Sequence, residues 1–168
     1  MTRPAKQPLP GELHSIRKED NAAIAAIIRA VLTEFGCTAP GFAIHDPEVD
    51  RMYETYQQPK SAYFVMVCDG KVIGGGGLAP LAGTTQNISE LQKFYILPEY
   101  RGRGFGHRLL DECLKFARKN GFNRCYIETV EQMQQAESLY HKIGFERIPM
   151  PLGNTGHHAC NRWYMKIL

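Results

Sequence analysis

Apolar residues recur along the chain at two spacings, and the switches between them lay out the elements. Leu13-His14-Ser15-Ile16-Arg17 alternates apolar with polar, as a strand with one buried face does, and the fold is expected to begin there. The period then changes to three and four. Ile24, Ile27, Ile28, Val31, Leu32 and Phe35 predict a helix capped by Asp20 and stopped at Gly36. A shorter helix with a thin apolar stripe is predicted from Asp46 to Gln57, begun by Pro47 and closed before Pro59. Tyr63 to Cys68 and Lys71 to Gly74 then read as two strands joined by Asp69-Gly70, a strong two-residue hairpin signal, and should pair antiparallel.

Ile88 to Leu97 predicts a further strand, stopped by Pro98 and followed by a glycine-rich turn. The helix after it runs through Asn120, with Phe105, Leu109, Leu110, Cys113, Leu114 and Ala117 as its buried stripe and Gly121 as its stop. Cys125 to Thr129 reads as a strand, and Ala136, Leu139, Tyr140 and Ile143 line a short helix closed by Gly144. A strand from Phe145 and a last one from Arg162 to Leu168 complete the chain. This order gives a mixed α/β fold, largely antiparallel with at least one parallel crossover. The four glycines from Gly74 to Gly77 mark either a bulged strand end or a place where another group comes close to the backbone.

Composition narrows the function classes. At 168 residues, with 43% hydrophobic and 22% charged, the chain fits one globular domain over residues 13–168, preceded by a flexible arm over 1–12 that carries three prolines. A net charge of +3, spread evenly, argues against nucleic acid and suits a small anionic ligand better. No apolar run approaches the roughly 20 residues that cross a bilayer, and MTRPAKQPLPGE lacks a signal-peptide pattern, so no membrane partner and a cytoplasmic location are expected. Cys37, Cys68, Cys113, Cys125 and Cys160 are widely spaced without C-x-x-C, which points away from disulfides and zinc knuckles. His157, His158 and Cys160 are compact but match no standard zinc spacing, and no metal is expected. Tyr53, Tyr56 and Tyr63 fit packing better than a cleft lining.

The sharpest chemical feature is Arg101-Gly102-Arg103-Gly104-Phe105-Gly106, between a strand and the first turn of an amphipathic helix. Unpartnered N–H groups at the helix start, the positive end of its dipole, permissive glycines and two arginines together suit a pyrophosphate. The spacing fits neither a Rossmann fingerprint nor a P-loop.

Arg101-x-x-Gly104-x-Gly106 after Ile-Leu-Pro resembles the acyl-CoA signature of the GNAT N-acetyltransferase superfamily, and Ala136-x-x-Leu139-Tyr140-x-Lys142-x-Gly144-Phe145 resembles its second signature. The likeness is strongest from Ile88 to Phe145. It implies a mixed, mostly antiparallel sheet of six to seven strands with a splayed parallel pair, flanked by about four helices. It also implies acetyl-CoA as co-substrate and transfer of its acetyl group to the amine of a small molecule or polypeptide. By the same resemblance Phe94, Tyr95 and Ile96 supply a strand edge to pantetheine. Arg101, Gly102, Arg103, Gly104, Phe105 and Gly106 hold the pyrophosphate. The Ile96 N–H serves the oxyanion, and Tyr140 is the general acid.

Glu90 stands where several members place a catalytic glutamate, on the face of Phe94 and Ile96 if the strand is regular, with Glu128 as runner-up and an ion pair as its plainer role. One departure is Met133, where many members carry an asparagine that contacts pantetheine. A non-catalytic acyl-CoA sensor is the alternative class, a nucleotide-binding protein a third, and a homodimer stays open.

Overall fold

The computed structural model describes residues 10–168. The arm expected over residues 1–12 lies, for residues 1–9, outside the described residues. The first strand, β1 (Gly11–Ser15), starts two positions earlier than the alternation suggested, because Gly11 and Glu12 already pair with Cys68 and Val67; beyond its end Ile16 is buried and its N–H donates to the Tyr63 carbonyl. α1 (Asn21–Glu34) follows, with Ile24, Ile28, Val31 and Leu32 buried. Asp20 sits at its N-terminus but makes no side-chain cap. Its Oδ2 instead accepts from the Arg17 N–H at 2.8 Å and lies 3.0 Å from His14 Nε2, tying β1 to the helix.

The helix expected from Asp46 to Gln57 shrinks to a 3-10 turn, Val49–Arg51, and a short α2 (Met52–Thr55). Only Val49, Met52 and Tyr56 there are buried, too few to hold a longer helix against its chain entropy. β2 (Ala62–Cys68) and β3 (Lys71–Pro80) pair antiparallel across Asp69 and Gly70, both at positive φ as the tight hairpin demands. β4 (Ile88–Ile96), α3 (Phe105–Lys119), β5 (Arg124–Thr129), α4 (Gln134–Ile143), β6 (Glu146–Ile148) and β7 (Arg162–Ile167) complete the order.

One seven-stranded sheet results, ordered β1-β2-β3-β4-β5-β7-β6. All neighbours are antiparallel except β4 and β5, which pair in parallel only from Ile88 to Leu91. Beyond Leu91 the two strands diverge, and the far half of β4 has no partner on that side. α3 and α4 pack on one face with Phe64, Met66, Leu91, Ile96, Leu109, Tyr140 and Phe145. α1 and the α2 segment cover the other with Ile24, Ile28, Leu32, Met52, Tyr56, Tyr63 and Val65.

The glycine run lies inside β3 and does both things the sequence left open. It faces a bulge in β4, and it lets rings press on the strand. A Cβ at Gly75 would stand 2.5 Å from the Tyr63 ring and 2.9 Å from the Phe64 carbonyl oxygen, and one at Gly76 would stand 2.6 Å from Phe94. Gly75→Ala is therefore expected to lower unfolding stability by about 1–3 kcal/mol, the usual cost of overpacking, as read from urea denaturation.

Candidate active site

A cavity of about 520 Å³ opens where β4, the glycine loop, α4 and the end of α1 meet. Phe94, Tyr95, Ile96, Arg101, Gly102, Gly104 and Gly106 line it, as do His107, Met133 and Lys142. Gly102 and Gly104 hold φ of 70° and 90°, a conformation that turns successive backbone N–H groups towards one point, and Gly104 leads directly into α3. The first turn of α3 adds its own free N–H groups and the positive end of its dipole. This corner is built for an anion.

The arginines and the phenylalanine of the loop are placed differently from the simplest expectation. Arg101 gives both terminal nitrogens to Glu34, at 2.7 and 2.9 Å, and its Nε to the Ile96 carbonyl at 2.8 Å, over the Phe35 ring. Its charge is thus spent on fastening the loop to α1. Arg103 stacks on Tyr100 and does not line the cavity. Phe105 is buried in the core below, so only its backbone reaches the loop. The basic side chains that do line the cavity are Arg101, His107 and Lys142. Lys142 was within the second signature, yet nothing in its spacing alone said that it would face the same cavity as the loop.

Strand β4 is not regular. Lys93 has φ of 47°, and Lys93 with Phe94 opposes the single Gly76 between the pairs Gly77–Gln92 and Gly75–Tyr95. This bulge shifts the alternation by one residue. Phe94 and Ile96 face α3 with Leu91, whereas Glu90 and Gln92 face the α1 side with Tyr95. The expectation that Glu90 shares a face with Phe94 and Ile96 is therefore wrong, and the bulge is the reason. It also fixes the strand's edge. Leu97 N–H bonds to Ile73 on the β3 side, so by strand alternation the Ile96 N–H points to the open side.

A second, small cavity of about 60 Å³ lies there, lined by Glu90, Glu128, His157, Cys160 and Tyr140, and it shares Phe94, Tyr95 and Met133 with the first. One donor atom each of Glu90, Glu128 and His157 falls within 4.8 Å of the other two. Glu90 is 4% exposed and makes no salt bridge among the described residues; Gln92 donates to it at 2.7 Å. Burial pushes its carboxyl above the ordinary value and nearby Glu128 adds to this, while the Gln92 bond opposes it.

Lys93 does not serve Glu90. It reaches Asp46 at 2.6 Å and Glu48 at 3.1 Å. Of the compact trio read in the sequence, His157 and Cys160 line the cavity, whereas the His158 ring lies against Gly41. Tyr56 and Tyr63 are packed, with Tyr56 donating to Gln92 and Tyr63 to the Lys93 carbonyl.

Tyr140 is 4% exposed, with its ring 6.3 Å from Phe94 and 5.9 Å from both Phe145 and Tyr164. It is an aromatic anchor as well as a lining residue of the small cavity. Burial raises its phenol, so the group stays protonated and has a hydrogen to donate.

Residues 22–145 match the family model described as the acetyltransferase (GNAT) family. The chain is 47% identical over 143 residues to the uncharacterized N-acetyltransferase YjgM of Escherichia coli (strain K12), which covers 84% of this chain and 86% of that protein. It is 33% identical over 90 residues to N-alpha-acetyltransferase RimI of Mycobacterium tuberculosis, covering 54% and 55%. Among solved structures, a GNAT-family acetyltransferase from Staphylococcus aureus Mu50 superposes with a TM-score of 0.83 at 18% identity, over 94% of this chain and 99% of that one. The putative acetyltransferase yncA from Salmonella typhimurium, solved with its cofactor acetyl-CoA, gives 0.75 at 20% identity over 94% and 93%.

The burial of Glu90 has a consequence for stability. Because its carboxyl is raised in the folded chain, the fold gains nothing from the ionised form and loses stability as pH climbs from the unfolded carboxylate range through the raised value. Glu90→Gln should accordingly unfold at a higher temperature than wild type near pH 7, and the gap should close towards about pH 4.

Proposed function

The chain belongs to the GNAT acetyltransferase family, and from that premise we propose how its two joined cavities transfer the acetyl group of acetyl-CoA to an amine. The carrying observation is their junction. A roomy cavity with an anion corner meets a small carboxylate-lined one at Phe94, Tyr95 and Met133, beside the open edge of β4.

Coenzyme A chemistry matches the larger cavity part by part. The pyrophosphate takes the backbone N–H groups from Gly102 to Gly106 at the start of α3, and Lys142 and His107 supply cationic or hydrogen-bonding side chains. Arg101 acts through its backbone and by fixing the loop to Glu34. The pantetheine arm extends along Phe94 to Ile96 as an added strand, using the backbone groups that β5 leaves free after Leu91. Met133 gives that arm an apolar neighbour.

The thioester then sits at the junction, and the acceptor amine comes through the small cavity. An alkylammonium has no lone pair, so a proton must leave before attack. Glu90 takes it. A carboxylate already made basic by burial is matched to this task better than an exposed one. The Ile96 N–H, pointing to the open side, stabilises the tetrahedral oxyanion. On collapse the thiolate takes a proton from Tyr140, whose raised phenol keeps that proton available at neutral pH, and the phenolate regains one from the second N–H of the acylated nitrogen.

The test is thiol release from acetyl-CoA with a panel of amines over a range of pH. Acceptor-dependent release is expected; tight acetyl-CoA binding with no turnover on any amine would mark a sensor. Tyr140→Phe should lower kcat about 100-fold without weakening acetyl-CoA binding. Glu90→Gln should lower kcat at neutral pH and recover part of it in alkali, where the amine is already neutral; wild-type rates at every pH would remove Glu90 from the mechanism.

A further inference from the structure

Transfer from an alkylammonium takes two protons off nitrogen. One ends on the sulfur of coenzyme A, and the other has to leave the site before Glu90 can act again. Glu90 is 4% exposed and the Glu128 side chain 5%, so neither reaches bulk water with ease. The His157 side chain is 17% exposed, lines the same cavity, and holds a ring nitrogen within 4.8 Å of both carboxylates.

The ring of His157 is oriented for one purpose. Its Nε2 lies 2.8 Å from Asp46 Oδ2. Asp46 is opposed by its burial, but bonds to His157 and Lys93 outweigh this and hold it below the ordinary carboxylate value. It therefore accepts, and Nε2 carries the hydrogen. Nδ1 is left with a free lone pair, 3.9 Å from Glu128 Oε2 on the cavity side. The surroundings are pinned as well: Lys93 holds Asp46 at 2.6 Å, Thr155 donates to Glu128 Oε2 at 2.7 Å and Tyr126 to its Oε1 at 2.8 Å.

We propose that His157, oriented by Asp46, takes from Glu90 the proton that the ammonium gives up and passes it to solvent. The inference rests on the acetyltransferase reading above and adds a proton-carrying residue and its positioning partner to it. In the step the O–H bond of protonated Glu90 breaks, a water bridging the gap of up to 4.8 Å accepts that proton and gives one of its own, and an Nδ1–H bond forms, leaving an imidazolium and a free carboxylate. Nε2 keeps its hydrogen on Asp46 throughout. Nδ1 then yields its proton to water, and nothing is oxidised or reduced.

The charged groups around the ring support this cycle. Asp46 and, through Lys93, Glu48 face it from the segment before α2; Glu90 and Lys93 from β4; Glu128 from β5; Cys160 from its own segment. Carboxylates outnumber cations there, which favours a transient imidazolium. The Asp46 bond raises His157 above the ordinary histidine value, against the opposing effect of burial. Burial pushes the Cys160 thiol to about 12, so it does not compete for the proton.

The experiment is the pH dependence of kcat for wild type, His157→Gln and Asp46→Asn, with acetyl-CoA affinity measured by calorimetry on each as a check on folding. His157→Gln should lose about 10- to 100-fold in kcat at neutral pH, keep its acetyl-CoA affinity, and lose one ionisation from the rising limb. Asp46→Asn should move that limb to lower pH, because it removes the partner that raises His157. Added imidazole should restore part of the rate to His157→Ala. A His157→Gln profile with the shape of wild type overturns the role of His157 alone. A wild-type chain that binds acetyl-CoA yet acetylates no amine overturns the acetyltransferase reading and the relay with it.

Discussion

The left-handed turn of Lys93 in the middle of β4 is the constraint on which the site depends. A lysine at φ of 47° costs about 1–2 kcal/mol relative to extended backbone. Its surroundings hold it there: Tyr63 donates to its carbonyl at 2.8 Å in the core, and its ammonium is clamped between Asp46 and Glu48. The glycines of β3 leave the opposite strand without side chains that would resist the distortion. Two consequences follow from one residue. Glu90 is turned to the face opposite Phe94, and the segment that carries Asp46 and Glu48 gains an anchor.

The site's electrostatics follow from that arrangement. Lys93, three residues along the strand from Glu90, is drawn away to other carboxylates, so the buried carboxyl keeps a neutral hydrogen-bond partner in Gln92. A salt bridge would have made it a weaker base. On the cofactor side the opposite economy holds: Arg101 is neutralised by Glu34, and the anion corner relies on backbone N–H groups, which need no counter-charge when empty.

Much of this was legible in the sequence, and the limits are instructive. The α3 stripe from Phe105 to Ala117, the Asp69-Gly70 hairpin and the glycine loop are local patterns, and local patterns fix local structure. The two signatures placed Tyr140, Lys142 and the loop in the correct order. What the chain did not disclose depends on contacts between distant residues. Lys93 with Asp46 spans 47 positions and His157 with Asp46 spans 111. No periodicity encodes either. The bulge was hidden for a related reason: Glu90, Phe94 and Ile96 read as one face of a regular strand, and only the pairing with Gly75 and Gly77 shows the extra residue. The segment from Asp46 to Gln57 misled through Pro47, a fair helix starter that here leads into a turn.

The clamp on the Lys93 ammonium also shapes how such a protein can diversify. Asp46 and His157 come from stretches far apart in the chain, yet they meet each other beside one strand of the sheet, where Asp46 holds Lys93. The cofactor corner shares almost nothing with them. Substitutions, insertions or grafts in those two stretches could therefore remodel the acceptor's doorway while the grip on the donor is left intact, a division of labour that lets one framework be retuned from one amine to the next.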